Sequence, residues 1–256
     1  MSRLALITGA SSGIGQALAA HALQAGWRVV LVARRTELLQ AWAQAQPAAE
    51  RVAIYGADVR DPQAMAAMGR ACIAAHGVPD VVIANAGISV GMDSAELEDL
   101  QVLKETLEIN VLGMAATFHP FLAAMRERRA GTLVGIGSVA AIRGLPGHGA
   151  YCASKAAVLS YCESLRGECR PYGVRVLTLS PGYVDTPLTR GNPYPMPFLM
   201  SPEAFARSAW RAIDAGVSYR VIPWPMAVVA KLLRILPNAL FDRVFAGRPR
   251  KPRRGG

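Results

Sequence analysis

The chain has 256 residues, 52% of them hydrophobic, which suits one α/β domain with a substantial core. Its four cysteines have neither C-x-x-C nor metal-ligand spacing, which argues against a structural metal site and favours buried thiols in a reducing, cytoplasmic compartment. The formal net charge is +10, but residues 224–256 hold eight Lys or Arg and one Asp, so the first 223 residues are nearly balanced. A strand-like run begins within three residues of the N-terminus, so we expect no signal peptide.

The first predicted element is a buried strand, and a glycine-rich turn and a helix follow it. The strand is RLALI at residues 3–7, the turn is TGASSGIG at residues 8–15, and the helix is QALAAHALQAG at residues 16–26. Glycines let a backbone approach a diphosphate closely, and the new helix offers free N–H groups and the positive end of its dipole. The order predicts a dinucleotide site, built by Gly9, Ser11, Ser12, Gly13, Ile14 and Gly15.

The three glycines of this turn have the spacing G-x-x-x-G-x-G, with Thr8 in front of them. This variant of the dinucleotide fingerprint resembles the classical short-chain dehydrogenase/reductase family. The alternation of strands and helices along the chain also predicts an α/β fold. We expect a single Rossmann-type, doubly wound parallel sheet of about seven strands with helices on both faces.

The second predicted strand, at residues 28–33, ends beside a pair of arginines. Enzymes that use NAD usually have an acid here to bind the ribose 2′-hydroxyl, but this chain has Ala33, Arg34 and Arg35. A guanidinium suits a 2′-phosphate, which a carboxylate would repel. The sequence therefore favours NADP(H) as the cofactor. The alternative is that both arginines are merely solvated residues at the start of a helix.

The resemblance implies further cofactor contacts along the chain. The third strand, at residues 51–59, ends in Asp58 and Val59, which would contact the adenine. The fourth strand, at residues 80–84, runs into an N-A-G tripeptide that would line the nicotinamide side. After the sixth strand, at residues 175–179, the stretch SPGYVDT would pass the nicotinamide. The cofactor residues implied by the last two stretches are Asn85, Ala86, Gly87, Pro181, Gly182, Val184 and Thr186.

The candidate catalytic residues centre on Tyr151 and Lys155, which are about one helical turn apart. A free phenol has a pKa of about 10, and a neighbouring ammonium lowers it, so the pair could act as a general acid/base. Ser138 ends the fifth strand, at residues 131–139, where it could hold a carbonyl or alcohol oxygen. The resemblance adds Asn110, which would bend a helix over residues 97–125 and hold a water that relays protons to Lys155. It also implies that Tyr151 and Lys155 contact the cofactor.

Residues 187–202 contain five prolines and predict an irregular loop. In the resembled family this region is the variable lid over the substrate, and residues 139–145 would form another wall. Apolar lid side chains suggest a lipophilic substrate; they are Tyr194, Met196, Phe198, Leu199 and Met200. The alternative is a proline-stiffened loop that packs on the core.

These patterns divide the chain into three predicted segments. Residues 1–223 form the Rossmann-fold domain with its lid, residues 224–247 form an apolar to amphipathic helix, and residues 248–256 form a basic tail that we expect to be disordered. Charged residues and Pro237 make the helix a poor membrane span. It could lie on an anionic membrane at the inner face, or cover the pocket, or contact another subunit. Nucleic-acid binding is disfavoured because aromatic residues are not interleaved with the basic ones.

Taken together, these features predict an NADP(H)-dependent oxidoreductase that moves a hydride between nicotinamide and a carbonyl or secondary alcohol, with no metal and as a homo-oligomer. One alternative is an NAD-dependent alcohol dehydrogenase. The other is a non-catalytic dinucleotide-binding protein recruited to membranes. The full set of Asn110, Ser138, Tyr151 and Lys155 argues against the second alternative, because a non-catalytic protein has no physical need of all four.

Overall fold

A seven-stranded β-sheet forms the centre of the molecule. The computed structural model describes residues 2–254. The strands are β1 (Leu4–Thr8), β2 (Arg28–Ala33), β3 (Val52–Gly56), β4 (Val81–Ala84), β5 (Thr132–Ile136), β6 (Arg175–Pro181) and β7 (Tyr219–Ile222). They lie in the order β3-β2-β1-β4-β5-β6-β7, and each neighbouring pair is parallel. The predicted parallel sheet is confirmed.

Helices cover both faces of this sheet, also as predicted. They are α1 (Gly13–Gln24), α2 (Thr36–Gln44), α3 (Pro62–His76), α4 (Asp99–Leu107), α5 (Gly113–Arg128), α6 (Gly149–Cys169), α7 (Pro202–Asp214), α8 (Trp224–Ile235) and α9 (Asn238–Phe245). Leu18 of α1 and Phe205 of α7 are buried in the core on one face. Met65 of α3, Phe118 of α5 and Val158 of α6 are buried in the core on the other.

The central strands are apolar throughout because both of their faces are covered. All five residues of β1 are buried, and so are four consecutive residues of β2. Successive side chains of a strand point to opposite faces. Ile7 and Leu31 therefore pack into one core, and Leu6 and Val30 pack into the other. Such uninterrupted apolar runs are typical of parallel strands between two helical layers.

The strand order reverses beside β1, which lies between β2 and β4. Connections leave the carboxyl ends of these strands toward opposite faces of the sheet, which opens a crevice between them. The glycine turn after β1 and residues 85–87 after β4 line a cleft at this point. The topology therefore brings together two motifs that are far apart in the sequence.

The helix predicted over residues 97–125 is interrupted at Asn110. α4 ends at Leu107, a π-helical turn spans Glu108–Leu112, and α5 then continues to Arg128. A π-helical turn inserts an extra residue and shifts the helix face. The bend expected at Asn110 stays a prediction. The combined run Asp99–Arg128 is long and apolar enough to cross a membrane by composition alone. Within this run Phe118 and Phe121 are fully buried in the core, and 33% of its most apolar window is buried.

The single C-terminal helix predicted over residues 224–247 is instead two helices. α8 and α9 are bent by 119° around Leu236 and Pro237. Proline disfavours the helical conformation in the residue before it, and Leu236 is extended, with ψ of 128°. The Arg143 guanidinium donates to the Leu233 and Leu236 carbonyls, which have no partners within α8. The bend is thus stabilised by a hydrogen-bonded contact from the main domain.

The basic tail also differs from the prediction, because residues 248–254 pack onto the domain. The Gly91 N–H donates to the Pro252 carbonyl over 3.0 Å, and Arg253 and Arg254 pair with acids of α4. We call residues 250–254 the strap. Local composition predicted disorder because it does not reveal acidic partners that lie about 150 residues earlier in the chain. The last two residues of the predicted tail, 255–256, lie outside the described residues.

Candidate active site

The glycine turn after β1 has no room for side chains. Gly9 and Gly13 have φ of 66° and 56°, the left-handed region that favours glycine. A Cβ atom on Gly15 would lie 2.5 Å from the Gly9 carbonyl oxygen. The Asn85 amide donates to the Gly9 carbonyl over 3.1 Å, and the Thr8 hydroxyl accepts from the Asn85 N–H over 3.2 Å. The turns after β1 and β4 are therefore held together as one rigid floor.

One end of the cleft is rich in arginine. Arg34, Arg35 and Asp58 line it, and the Arg34 guanidinium lies 3.8 Å from the Asp58 carboxylate. Sequence reasoning missed Arg60, which donates to both Asp58 oxygens, the shortest contact being 2.6 Å. Hydrogen bonding by Arg60 lowers the pKa of Asp58. In the sequence, the only indication of this ion pair is that Arg60 follows Asp58 by two residues.

The other end of the cleft holds the predicted catalytic group. Ser138 follows β5, Tyr151 and Lys155 lie on the first turns of α6, and all three line the cleft. The Lys155 ammonium lies 5.8 Å from the centre of the Tyr151 ring and donates to the Ile136 carbonyl over 2.8 Å. The Ser138 hydroxyl accepts from the Ala140 N–H over 3.1 Å. Backbone contacts therefore hold both the serine and the lysine in place.

The pKa values of this group differ from the prediction in one respect. Burial raises the pKa of the Tyr151 phenol, and hydrogen bonding with Ser138 opposes the rise. Lys155 was expected to lower the pKa of Tyr151, but its 5.8 Å separation from the ring and its bond to Ile136 leave burial dominant. Burial also lowers the pKa of Lys155 to about 8. The lysine is therefore the group that titrates closest to neutrality.

Asn110 lies behind the cleft instead of lining it. It is 1% exposed, and its amide donates to the Ile88 carbonyl over 3.0 Å and to the Ser154 hydroxyl over 2.9 Å. Its carbonyl oxygen accepts from the Ile88 N–H over 2.8 Å, and the Ser154 hydroxyl donates to the Tyr151 carbonyl. Asn110 thus ties the strand-end loop after β4 to the catalytic helix. The water relay stays a prediction.

The cleft has a volume of about 690 Å³ and runs from the arginine end to the tyrosine end. Gly15 and Asn110 are the two predicted site residues that do not line it. The predicted residues that do line it are Gly9, Ser11, Ser12, Gly13, Ile14, Arg34, Arg35, Asp58, Val59, Asn85, Ala86, Gly87, Ser138, Tyr151, Lys155, Pro181, Gly182, Val184 and Thr186. The fold therefore brings together residues from six strand ends.

These residues fit an extended dinucleotide. The glycine turn leaves the N-terminus of α1 without a side-chain cap, so its N–H groups are available to a diphosphate. Cations at the Arg34 end suit a phosphorylated ribose. A Cβ atom on Gly87 would lie 3.2 Å from the Asn110 amide oxygen and 3.6 Å from the Lys155 ammonium, so glycine keeps this wall flat. The cleft volume lies within the range usual for cofactor sites.

The lid is an irregular loop, as predicted, but its lining residues are different. Pro187, Leu188, Thr189 and Gly191 line the cleft, whereas the five predicted apolar side chains do not. Phe198 and Leu199 are 52% and 47% exposed, and the next residue, Met200, forms a β-bridge with Val184. The apolar lining of the cleft includes Leu188 from the first half of the lid and, from other elements, Ile88, Val90, Pro181 and Pro252.

Sequence comparison places the chain among known enzymes. A family model described as "short chain dehydrogenase" matches residues 3–194. An uncharacterised oxidoreductase of Myxococcus xanthus is 41% identical over 241 residues, covering 94% of this chain and 95% of that protein. The chain belongs to the short-chain dehydrogenase/reductase family. Among further relatives of this dehydrogenase is the bovine dehydrogenase/reductase SDR family member 7B, 32% identical over 97% of this chain and 82% of that protein.

Solved structures agree with this assignment. A short-chain dehydrogenase from Burkholderia cenocepacia in complex with NADP superposes with a TM-score of 0.82 at 26% identity, covering 96% of this chain and 98% of that one. An alcohol dehydrogenase from Thermococcus sibiricus complexed with 5-hydroxy-NADP has a TM-score of 0.77 at 26% identity, covering 87% and 96% of the two chains. The dehydrogenase described here therefore shares the fold of nicotinamide-dependent enzymes over almost its whole length.

Proposed function

We propose that this dehydrogenase is an NADP(H)-dependent enzyme that interconverts a carbonyl and a secondary alcohol. The observation that carries the proposal is the convergence of Ser138, Tyr151 and Lys155 at one end of a cleft whose other end holds Arg34 and Arg35. Neighbouring structures that contain NADP support the choice of cofactor. The competing function is NAD-dependent alcohol oxidation.

In this proposal the bound nicotinamide supplies or accepts the hydride, and the protein positions the reactants and moves the proton. The Ser138 hydroxyl holds the reacting oxygen, and the Tyr151 phenol donates its proton to that oxygen during reduction. Because burial raises the pKa of Tyr151, the phenol is protonated at neutral pH and ready to act as an acid. Lys155 is held by Ile136 and presents a positive charge beside the phenol.

We further propose a lipophilic substrate. The support is the apolar lining next to Tyr151, to which Ile88, Val90, Pro181 and Leu188 contribute. An apolar wall cannot distinguish closely related carbonyl compounds by more than about tenfold to a few hundredfold. We therefore expect activity on a range of lipophilic ketones or aldehydes, with weak discrimination among them.

Three proposals concern partners and location. The exposed side chains of Leu100 and Leu112, on the α4–α5 surface, support self-association into a homo-oligomer. A stripe of exposed apolar residues on α8, flanked by Lys231, supports contact with an anionic membrane surface at the inner face. We call this the α8 stripe; it consists of Trp224, Val228, Leu232 and Ile235. Four buried free thiols support a cytoplasmic location.

The test of the main proposal is an absorbance assay for NADPH consumption over a panel of lipophilic and hydrophilic carbonyl compounds, with NADH in parallel. We expect the lipophilic compounds to be reduced and NADPH to be preferred by at least about tenfold in kcat/KM. Equal use of NADH, or turnover only in the direction of alcohol oxidation with NAD, would favour the competing function. No consumption of either cofactor would contradict both.

A further inference from the structure

The strap crosses the mouth of the active-site cleft. Its backbone packs directly on Gly91, where a Cβ atom would overlap the Lys251 carbonyl oxygen. A Cβ atom on Gly147, in the loop hydrogen-bonded to Met92, would lie 2.9 Å from the Arg250 side chain. Lys251 and Pro252 line the cleft itself. The C-terminal segment is therefore part of the wall of the site.

Two ion pairs fasten the end of the strap to α4. The Arg253 guanidinium lies 2.7 Å from the Asp99 carboxylate, and Arg254 lies 2.6 Å from Glu105. Asp99 also accepts from the Asp93 N–H, and this bond and the Arg253 contact lower its pKa. Hydrogen bonding by Arg254 lowers the pKa of Glu105 to about 2. Both acids are therefore charged at neutral pH, and the strap is held there by charge as well as by backbone contact.

Lys251 lies between these anchors and the lid, and its environment is different. Its ammonium donates to the Leu188 carbonyl over 2.8 Å, which joins the strap to the opposite side of the cleft. Partial burial lowers the pKa of Lys251. Within residues 2–254, no Asp or Glu lies close enough to form an ion pair with it. Arg253 and Arg254 have carboxylate partners, whereas Lys251 lines the cleft and bonds only to a neutral carbonyl.

The Lys251 side chain is only partly buried and its bond to Leu188 is exposed, so its uncompensated charge is open to an anionic group that enters the cleft. An ammonium has three donors, and the Leu188 carbonyl occupies one of them. On the basis of the proposed function, we propose that Lys251 binds an anionic group of a ligand in the cleft. The group is either the diphosphate of the dinucleotide or an acidic group on the substrate, and in both cases the strap holds the lysine in place.

The test compares the full-length wild type with Lys251→Met, which keeps the length of the side chain and removes its charge. Lys231→Met, on the exposed surface of α8, is the matched control. Affinities for NADPH and for adenosine 2′-phosphate, which lacks a diphosphate, are measured by titration. Turnover is measured with a carboxylate-bearing carbonyl compound and with its methyl ester. Thermal unfolding of each variant checks that the fold is retained.

If Lys251 binds the diphosphate, Lys251→Met weakens NADPH binding by about tenfold and leaves adenosine 2′-phosphate unchanged. If it binds the substrate, NADPH affinity is kept and the preference for the acid over the ester, measured as a ratio of kcat/KM values, falls by about tenfold. Lys251→Arg keeps the charge and should restore most of either loss.

A Lys251→Met protein that matches the wild type in NADPH affinity and in the acid-to-ester ratio would overturn the inference alone. A wild type that neither binds nor consumes either dinucleotide would overturn the proposed function, and the inference with it.

Discussion

Lys155 is the residue at which function and stability are most clearly opposed. Its side chain is 4% exposed, and burial lowers its pKa to about 8 from an ordinary value of 10.5. Keeping it charged at neutral pH costs the folded state on the order of 3 kcal/mol. Its bond to the Ile136 carbonyl recovers about 1 kcal/mol of this. Lys155, which we propose to be catalytic, is therefore retained at a net cost to the stability of the fold.

We predict that Lys155→Met is more stable than the wild type by about 1 to 2 kcal/mol at pH 7, although it loses activity. Urea unfolding followed by circular dichroism measures the difference. Lys104→Met, an exposed lysine of α4, serves as the control and should change stability by less than about 0.5 kcal/mol. A Lys155→Met protein that is less stable than the wild type at pH 7 would contradict the inference that the buried charge of Lys155 destabilises the fold.

The same pKa shift predicts a pH dependence of stability. The folded-state pKa of Lys155 is below the unfolded value, so the unfolded state holds more protons between about pH 8 and about pH 10. The destabilisation caused by the buried charge of Lys155 is fully present below about pH 8 and is relieved as the pH rises to about 10. The free energy of unfolding of the wild type, relative to Lys155→Met, should therefore rise by about 2 kcal/mol from pH 8 to pH 10. A difference that stays constant over this range would show that Lys155 has an ordinary pKa.

The two arginines after β2 provide a residue-level test of cofactor choice. We predict that Arg35→Ala and Arg34→Ala each weaken NADPH binding by about tenfold or more and leave NADH binding within about twofold, because only NADPH carries the 2′-phosphate. Fluorescence titration measures both affinities. Arg51→Ala is a matched control, since Arg51 pairs with Glu50 at the far end of β3. Equal losses for the two cofactors would indicate that the arginines have only a structural role.

Among the helices, α8 has an unusual distribution of apolar residues. Met226 and Ala230 are buried against the domain, whereas Leu232 and Ile235 of the α8 stripe are 58% and 76% exposed. Lys231 and Arg234 lie beside the stripe, so a second copy facing it would meet like charges. An anionic membrane surface complements the positive charges of Lys231 and Arg234, and its lipids can take up the apolar side chains of the α8 stripe.

We predict that the double variant Leu232→Glu/Ile235→Glu sediments with phosphatidylglycerol vesicles at least about tenfold less than the wild type, because two inserted apolar side chains are lost and two negative charges are added. Leu97→Glu is the control, since Leu97 is 81% exposed and far along the chain from α8. Unchanged sedimentation would remove the membrane proposal. Light scattering on the same proteins reports whether the stripe is instead a contact between subunits.

Sequence reasoning worked best for elements whose determinants are local. The apolar run at residues 28–33 predicted the bounds of β2 directly, whereas α1 begins at Gly13, three residues before its predicted start. It was wrong for the C-terminal helix, although Pro237 was an available signal for the break. It was also wrong for the tail, because the strap is ordered by Asp99 and Glu105 and not by its own composition.

At the scale of the whole molecule, the parallel topology explains why motifs spread over residues 8–186 meet in one cleft. Motif residues follow β1, β2, β3, β4, β5 and β6, and carboxyl ends of parallel strands share one edge of the sheet. The sequence predicts that the motifs share this edge of the sheet, but it does not predict which segments close the cleft there. The contacts of Lys251 with Leu188, and of His148 with Tyr194, join segments that only the three-dimensional packing brings together.

The central claim is that the Tyr151 phenol transfers the proton while the cleft holds the cofactor, so the most direct measurement is turnover and NADPH affinity in Tyr151→Phe. We predict that kcat falls by at least about 10³-fold while the dissociation constant for NADPH changes by less than about twofold. Tyr161→Phe, on the same helix α6, should leave both values near those of the wild type. A Tyr151→Phe enzyme that retains substantial turnover would contradict the account.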